Sequence, residues 1–379
     1  MKVLFLLHVS DRYGAGRSIV ALIRGLVASG IKCHCYLPES GPITQDLEAI
    51  GVGYTILRLP RWVYDRYSPF LNLARLFASL ASTLHIALTT IRWRADLLFT
   101  TSSVIPAGAL AAFICRKPHI WQIREFVEDD FQMRFDFGGA LSRKLICLLS
   151  HKVICVSEAL ILQYKKYASS GKLMVIHNDI TLNDGEQCCD IPRLFDRSAT
   201  IVGRIHPGKG QQDAVMAVSL LKEQGIDIQL NIVGDGDEIH VKTLEQIIRS
   251  KELEDRIVLL GYIPAPSKII RSSDMALVCS LSGALDRVII ESMLCNVPII
   301  VARGGGNKDV VANGTTGLLY SPGNFIELAD RMRMVLNDSG LASQMADNAL
   351  KWVREDFDGS QCSDRVLKVI ESLVTSNGK

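Results

Sequence analysis

The sequence predicts an α/β fold made of two doubly wound, Rossmann-like domains. Short apolar runs alternate with amphipathic helical patterns, which is typical of parallel sheets with helices packed on their faces. The alternation occurs in residues 1–185 and again in residues 198–354, on either side of the polar stretch TLNDGEQCCDIP. A chain of 379 residues also exceeds the size at which a single hydrophobic core usually stops growing, which favours two domains.

The first series begins with VLFLLHV, whose apolar run of residues 3–7 is too short for a signal peptide and is predicted to be a buried strand. The helix RSIVALIRGLVASG, which ends at Gly30, and the strand KCHCYLP follow. ADLLFTT, PHIWQI and KVICVS are predicted to be the later strands of this domain.

The second series restarts at the strand ATIVGRI and continues through the helix DAVMAVSLLKEQG and the strand IQLNIVG. The helix EIHVKTLEQIIRSKEL and the strands RIVLLGY and MALVCS come next. In doubly wound sheets ligands bind beyond the carboxyl ends of the strands, so the loops at those ends are where chemistry is expected.

The composition is that of an ordered protein, with 48% hydrophobic residues and a mean hydropathy of +0.20. Residues 1–195 carry 22 Lys and Arg against 16 Asp and Glu, while the rest carry 20 against 24. This imbalance favours contact of the first half with an anionic surface or acceptor, although uneven solvated charge explains it equally well.

A nucleic-acid binder is disfavoured because no basic stripe interleaved with aromatic residues is present. A dinucleotide oxidoreductase is disfavoured because the first strand-to-helix loop lacks a full GxGxxG.

The ten cysteines do not form a disulfide or metal pattern. Most of them lie in apolar runs, where a reduced thiol behaves as a small hydrophobic side chain, and Cys188-Cys189 lies in the polar connector. No CxxC pair is present, so the sequence predicts a protein of the reducing cytoplasm.

Residues 71–91 are the most membrane-like segment, but Asn72, Arg75 and His85 make them too polar for a confident transmembrane span. A surface helix is one interpretation. The other is a helix that lies peripherally on an anionic bilayer, because the segment is flanked by basic residues. These are Arg58, Arg61, Arg66, Arg92 and Arg94.

In the first domain, the loop SDRYGAGRS follows the first strand. Gly14 and Gly16 allow the backbone to approach a ligand there, although a tight strand-to-helix turn explains them equally well. His8 ends the same strand, and Arg124 follows the strand in WQIREF. Both stand at the carboxyl edge of the sheet, where the arginine could bind a phosphate. The histidine is either catalytic or simply a packed, hydrogen-bonded residue.

In the second domain, GRIHPGKG places two cations, Arg204 and Lys209, at the edge of the sheet beside helix-opening glycines. Fixed cations can stabilise the charge that grows on a diphosphate leaving group without a metal ion, whereas the alternative is a solvated basic turn. In IVGDGDE, Asp235 and Asp237 are interpreted as turn and cap residues, so no metal site is predicted. In ARGGGNKDVV, the three glycines are expected to present backbone N–H groups to a phosphate or a sugar hydroxyl.

Taken in order, GRIHPGKG, IVGDGDE, LLGY and RVIIESMLCNVPIIVARGGGNKDVVANGTTGLLYSPGN resemble the retaining glycosyltransferases of family 4 over residues 198–335. LHVSDRYGAGRS, WQIREF, VICVSEAL and VIHNDI resemble bacterial polysaccharide-assembly members of that family. The resemblance implies the GT-B fold, in which two Rossmann-like domains face a central cleft. The first domain would offer the acceptor surface, with His8 and Arg124 on the acceptor side, and the second would bind the nucleotide sugar. Residues 355–379 would form a helix that crosses back to the first domain.

Carried over by position, Arg204 and Lys209 would bind the donor diphosphate, and Glu291 would hydrogen-bond the ribose. The backbone of Arg287, Val288 and Ile289 would line the phosphates. The other donor-binding positions are glycines and one aromatic residue: Gly203 in the first motif, Gly305 and Gly306 at the sugar–phosphate junction, and Gly234 and Tyr262 at the base.

The implied activity is metal-independent transfer of a hexose, with anomeric retention, from a UDP- or GDP-linked sugar to a lipid-linked or oligosaccharide acceptor. No other cofactor is expected, and the protein would work in the cytoplasm or peripherally on the inner face of the membrane. The family commonly carries a second glutamate eight residues before Glu291, but this chain has Gly283 there and Asp286 where glycine is usual. The alternative is therefore a degenerate homologue that binds nucleotide or a partner enzyme without turnover, in which case Gly283→Glu would raise activity or change the use of donors.

Overall fold

A computed structural model describes residues 1–64, 69–128, 133–180, 182, 194–356 and 361–377. The chain divides into two units, unit 1 comprising Met1–Asp179 with Gly359–Lys379 and unit 2 comprising Ile180–Asp358. The division lies at the amino end of the polar connector that separates the two series in the sequence. Residue 185, Arg66 and Cys188-Cys189 lie outside the described residues.

Unit 1 contains a seven-stranded sheet in the order β3-β2-β1-β5-β6-β8-β9, in which all neighbours are parallel. Its strands are β1 (Lys2–Leu6), β2 (Lys32–Leu37), β3 (Gly53–Ile56), β5 (Leu97–Thr100), β6 (His119–Ile123), β8 (Lys152–Cys155) and β9 (Leu173–Val175). A small antiparallel pair joins β4 (Val63–Tyr64) to β7 (Arg134–Phe135). The central strands are buried because both of their faces are covered, which explains their continuous apolar runs.

The helices of unit 1 form two groups by their contacts. The first consists of α1 (Gly14–Ala28), α2 (Pro42–Ala49) and α13 (Gln361–Asn377), where α13 packs on α1 and contributes Val366 and Ile370 to the core. The second is the row α3 (Pro69–Trp93), α4 (Ala107–Ile114), α5 (Gly139–Leu149) and α6 (Glu158–Tyr164). No helix among the described residues has the length and apolar character needed to cross a bilayer.

Unit 2 contains a six-stranded parallel sheet in the order β12-β11-β10-β13-β14-β15. Its strands are β10 (Ser198–Val202), β11 (Gln229–Val233), β12 (Ile257–Gly261), β13 (Met275–Val278), β14 (Ile299–Ala302) and β15 (Leu318–Tyr320). The helices are α7 (Gln211–Glu223), α8 (Glu238–Ser250), α9 (Ser267–Arg271), α10 (Arg287–Leu294), α11 (Phe325–Asn337) and α12 (Ser339–Asp356). The predicted class, two Rossmann-like α/β units, is therefore confirmed.

The strand order of unit 2 places two of the loops that carry candidate site residues beyond neighbouring strands. The chain runs outward in one direction from β10 through β11 to β12, then returns and runs outward in the other direction from β13. The order therefore reverses between β10 and β13, and the loops beyond their carboxyl ends separate to form a crevice. GRIHPGKG follows β10, and the segment containing Gly283 and Asp286 follows β13.

Candidate functional site

The loop after β10 carries both predicted cations. Arg204 Nη2 lies 2.8 Å from Asp237 Oδ1, and both side chains are more than half exposed. Residues Pro207–Lys209 form one turn of 3₁₀-helix, which ends at Gly210 before α7 begins. Because an exposed ion pair contributes little free energy, Arg204 can exchange Asp237 for an anionic ligand at small cost.

Lys209 forms a more buried ion pair with Asp286, the residue that precedes α10. Asn307 completes this cluster, since its Nδ2 donates to Asp286 Oδ2 at 2.8 Å and its Oδ1 accepts from the Asp286 backbone N–H at 2.9 Å. Burial alone would raise the pKa of Asp286, but the charge of Lys209 and hydrogen bonds from Lys209, Asn307 and Ser280 outweigh it and lower the pKa. Asp286 is therefore a carboxylate at neutral pH. Sequence reasoning missed Asn307, although it directly follows the three glycines.

The three glycines pack against the loop that follows β13. The N–H of Gly306 donates to the carbonyl of Gly283 at 2.7 Å, and the N–H of Gly304 donates to Ala302. These two amides are hydrogen-bonded within the protein in this structure, while a role of Gly305 and Gly306 in donor binding stays a prediction. Gly305 lies against the backbone of Gly283. The glycines allow two backbones to meet, because no side chain stands between them.

Glu291 lies within helix α10 and not at its N-terminus. Helix α10 begins at Arg287, so Glu291 lies in the second turn. Glu291 is 4% exposed, and its Oε1 lies 3.3 Å from Arg287 Nη2. Residues Arg287, Val288 and Ile289 form the first turn of α10, which has the positive end of the helix dipole that favours phosphate.

The remaining donor-side positions lie at the carboxyl ends of three adjacent strands. The N–H of Gly203 after β10 donates to Val233, and the N–H of Gly234 after β11 donates to Gly261 at the end of β12. Tyr262 follows directly and is 43% exposed. The described residues contain no group of three His, Cys, Asp or Glu placed to hold a metal ion.

In unit 1, His8 and Arg124 lie near each other beyond the sheet. Both Arg124 and Arg61 act electrostatically on His8, and Arg61 Nη2 donates to the His8 carbonyl at 3.1 Å. Arg124 donates to Gln122 Oε1 through Nε and Nη2. Sequence reasoning placed Arg61 only among the flanking cations, because nothing in the pattern shows that it reaches the end of β1.

The first glycine-containing loop has a structural role as well. Gly14 begins α1 and Gly16 lies in its first turn, close to the carbonyl of Asp11. Arg12 of the same loop forms an ion pair with Asp46 of α2, with Nε 2.8 Å from Oδ2. The close packing supports the interpretation of a tight turn, while a role of Gly14 and Gly16 in donor binding stays a prediction.

His8 is predicted to make the stability of unit 1 depend on pH. Burial, followed by the charges of Arg124 and Arg61, lowers the pKa of His8 to about 3. In the unfolded chain His8 takes up a proton near its ordinary pKa of about 6.5, whereas in the folded protein it stays neutral. The contribution of His8 to the free energy of unfolding is therefore complete above about pH 6.5 and is lost as the pH falls towards 3. From pH 7 to pH 5 we expect a loss of about 2 kcal/mol.

Urea unfolding followed by tryptophan fluorescence at both pH values measures this effect. Over the same pH interval, the free energy of unfolding of His8→Gln should fall by about 2 kcal/mol less than that of the natural protein. His119, whose pKa burial also lowers to about 3, is present in both proteins and contributes equally to each. Equal pH dependence in the two proteins would contradict a His8 side chain that stays neutral in the folded protein.

Two family models match the chain. The family described as Glycosyltransferase Family 4 matches residues 13–183. The family described as Glycosyl transferases group 1 matches residues 196–352. Each match falls on one of the two units, and together they cover most of the chain.

The chain is 33% identical over 165 residues to the N-acetyl-alpha-D-glucosaminyl L-malate synthase of Bacillus anthracis, covering 44% of this chain and 42% of that protein. It is 24% identical over 247 residues to the N-acetylgalactosamine-N,N'-diacetylbacillosaminyl-diphospho-undecaprenol 4-alpha-N-acetylgalactosaminyltransferase of Campylobacter jejuni, covering 63% and 66%. The chain thus spans less than half of the first relative and about two thirds of the second.

Among solved structures, Anabaena Alr3699/HepE in complex with UDP-glucose has a TM-score of 0.80 at 22% identity, covering 98% of this chain and all of that one. At this identity the likeness shows the fold alone. Since both units match glycosyltransferase families and the architecture agrees, the chain belongs to the family 4 glycosyltransferases and has the GT-B fold.

Proposed function

We propose that this glycosyltransferase is a retaining, metal-independent hexosyltransferase that uses a UDP- or GDP-linked sugar to extend a lipid-linked or oligosaccharide acceptor in bacterial surface polysaccharide synthesis. The observation that carries the proposal is the cation pair on the loop after β10, next to the first turn of α10 at the point where the strand order of unit 2 reverses. Alr3699/HepE, which shares the fold, was crystallised with UDP-glucose, and the Campylobacter jejuni relative is named for a diphospho-undecaprenol acceptor.

The site residues fit this chemistry. Transfer breaks the bond between the anomeric carbon of the sugar and the diphosphate oxygen, and it forms a bond to an acceptor hydroxyl oxygen. The hydroxyl proton passes to the departing diphosphate, so the reaction needs no separate base from the protein. Arg204 and Lys209 offset the negative charge that grows on the diphosphate, and Glu291 binds the ribose hydroxyls. On unit 1, Arg124 binds an acceptor phosphate, and His8 lies beside it.

A donor panel tests the proposal. The protein is incubated with UDP-glucose, UDP-galactose, UDP-N-acetylglucosamine and GDP-mannose, together with a short polyprenyl-diphosphate sugar acceptor. We expect one nucleotide base to raise the melting temperature, transfer to continue in EDTA, and NMR of the product to show the anomeric configuration of the donor. Folded protein that transfers no sugar from any donor would contradict the proposal.

One observation favours the second candidate, a homologue that binds nucleotide without turnover. Three cations of the donor site are already paired with carboxylates, as Arg204 with Asp237, Lys209 with Asp286 and Arg287 with Glu291. A diphosphate must therefore share or displace these partners. This candidate predicts a nucleotide-dependent thermal shift without product, and any measured turnover excludes it.

The proposed lipid-linked acceptor requires a membrane surface, and one face of unit 1 fits such a surface. Among the side chains of α3 that the structure describes, five large apolar ones are between 50% and 64% exposed. They are Phe77, Leu80, Leu84, Leu88 and Ile91, which recur at helical spacing and are called the apolar stripe here. The neighbouring helix α4 adds Phe113 and Ile114, which are also exposed.

Over residues 77–93 of α3, where the side chains are described, most of the buried residues are polar and most of the exposed ones are apolar. Ser79, Ser82, Thr83 and Thr90 are buried, and the last three satisfy their hydroxyl groups by bonding to the helix backbone. An amphipathic helix of a globular domain normally has the opposite arrangement. The apolar stripe is therefore suited to the acyl-chain boundary of a bilayer.

Charge favours an anionic bilayer over a second protein copy. Arg92, Arg94 and Arg116 are exposed at the ends of α3 and α4. Asp96 is the only acidic residue in positions 69–117 of the sequence. Apolar side chains combined with clustered cations are typical of helices that lie on anionic lipid.

Vesicle sedimentation tests this surface. We expect the protein to bind vesicles containing phosphatidylglycerol more tightly than phosphatidylcholine vesicles, and Leu84→Ser/Leu88→Ser to weaken that binding roughly tenfold or more. Ile239→Ser, which removes an exposed apolar side chain from α8, should have no effect. Equal binding by all three proteins, or self-association that the double substitution abolishes without any lipid binding, would contradict the membrane surface.

A further inference from the structure

Position 283 has no side chain, yet the space beyond it is filled. A Cβ atom added to Gly283 would lie 2.8 Å from Asp286 Oδ2 and 3.2 Å from Asn307 Nδ2. The carboxylate of Asp286 therefore stands directly where a side chain at position 283 would begin. The two positions are three residues apart in the chain, but a side chain at position 283 would occupy the place of the Asp286 carboxylate.

Asp286 is held firmly in that place. Its carboxylate binds Lys209 through Oδ1 and Asn307 through Oδ2, and its side chain is only 12% exposed. Asn307 is fully buried and also accepts the backbone N–H of Asp286. The carboxylate cannot move away without breaking several hydrogen bonds, so it is a fixed feature of the donor site.

The location also determines what the carboxylate can contact. Lys209 is bound to Asp286, so a diphosphate on Lys209 lies within a few ångströms of the carboxylate. The group bonded to that diphosphate is the sugar of the donor, whose hydroxyl groups donate hydrogen bonds well to carboxylates. The loop containing Gly283 adjoins this place, and the Gly306 amide fixes the loop there.

We propose that Asp286 supplies the carboxylate that binds a hydroxyl group of the donor sugar, and that an acid can stand at position 283 or at position 286 but not at both. This inference rests on the proposed function, because it assigns a residue to the sugar of a nucleotide donor. It also revises the expectation that Gly283→Glu alone raises activity, since that side chain would meet the carboxylate of Asp286.

The first test separates binding of the sugar from binding of the nucleotide. Dissociation constants for the nucleoside diphosphate and the nucleotide sugar are measured by calorimetry, starting with UDP and UDP-glucose. Asp286→Asn leaves Lys209 without its counter-charge, so the diphosphate alone should bind as tightly as before or more tightly. The affinity for the nucleotide sugar should fall roughly tenfold or more relative to the affinity for the diphosphate, and kcat should fall as well.

A structural role of Asp286 predicts a different result. If the residue only supports the loop, both ligands should lose affinity by the same factor, and that outcome would overturn the proposal. Asp330→Asn serves as the control, because Asp330 forms an exposed ion pair with Arg333 on α11 and is expected to leave both constants unchanged.

The second test is an exchange of the acid between the two positions. Gly283→Glu and Asp286→Gly are each expected to reduce turnover, whereas the double variant Gly283→Glu/Asp286→Gly should recover roughly tenfold or more over either single variant. The same double-mutant cycle is also measured with the melting temperatures of the natural protein, the two single variants and the double variant, which do not depend on activity. Additive effects of the two substitutions in both cycles would overturn the inference that acids at positions 283 and 286 occupy one place.

The two proposals fail in different ways. If the natural protein binds neither UDP nor GDP and transfers no sugar, the proposed function fails and the sugar contact fails with it. If the natural protein binds and transfers but Asp286→Asn leaves the ratio of the two dissociation constants unchanged, only the role of Asp286 is overturned.

Discussion

Replacing Lys209 with Met is expected to cause the largest loss of donor binding among single substitutions at the site. Lys209 provides the more buried of the two cations on the loop after β10, and its ammonium group is the one placed next to α10. The affinity for the nucleoside diphosphate should fall roughly 10- to 100-fold, because a hydrogen bond to a charged group is lost. Transfer should fall further, by about 10²–10³-fold, because the charge on the leaving group grows in the transition state.

The same substitution should also destabilise unit 2, and this effect can be separated from binding. Lys209→Met leaves the carboxylate of Asp286 without its cation, which we expect to cost on the order of 1–2 kcal/mol because the lysine is partly exposed. Lys209→Met/Asp286→Asn should recover most of that stability in urea unfolding without recovering diphosphate affinity. Lys222→Met, at the far end of α7, is the control. Recovery of affinity in the double variant would contradict a direct contact of Lys209 with the diphosphate.

The sequence was sufficient to predict the fold and to place the loops that carry the candidate site residues at one edge of the sheet in unit 2. Apolar runs that alternate with helical patterns indicate parallel sheets, and such sheets direct the loop after each strand to one edge. Arg204 and Lys209 could therefore be placed at that edge from GRIHPGKG alone. The strand order, which brings β10 beside β13, explains why this loop meets Asp286.

Side-chain partners could not be predicted in the same way. Along the chain Asp286 stands three residues from position 283, but its carboxylate lies only 2.8 Å from the place of a Cβ atom at that position. The sequence does not show that α10 already begins at Arg287, so it does not place Glu291 in the second turn of that helix. The role of Asn307 depends on two loops that are 21 residues apart, and no local pattern specifies such a contact.

Residues 303–307 are called the glycine loop here, and the sequence predicts that its glycines contact a ligand. The structure provides a second reason for glycine in this loop, which is its close approach to another loop. Gly305 has a φ of +54°, which favours glycine, and a Cβ atom there would lie far inside van der Waals contact with the carbonyl oxygen of Gly283. Any larger residue must push the two loops apart. Because Asp286 is held beside Gly283 by Asn307, that movement would reach the proposed sugar contact.

Gly305→Ala is therefore expected to lower the free energy of unfolding of unit 2 by more than about 3 kcal/mol, since it adds a steric clash to an unfavourable backbone conformation. Gly314→Ala is the matched control, because Gly314 also has a positive φ, +78°, but has nothing within 4 Å of an added Cβ. That variant should lose only about 1 kcal/mol. Urea unfolding of both proteins measures the difference, and calorimetry with nucleotide should show weaker binding by Gly305→Ala alone. Similar losses of stability in the two variants would show that backbone conformation, and not the approach of the glycine loop to Gly283, determines the requirement for glycine.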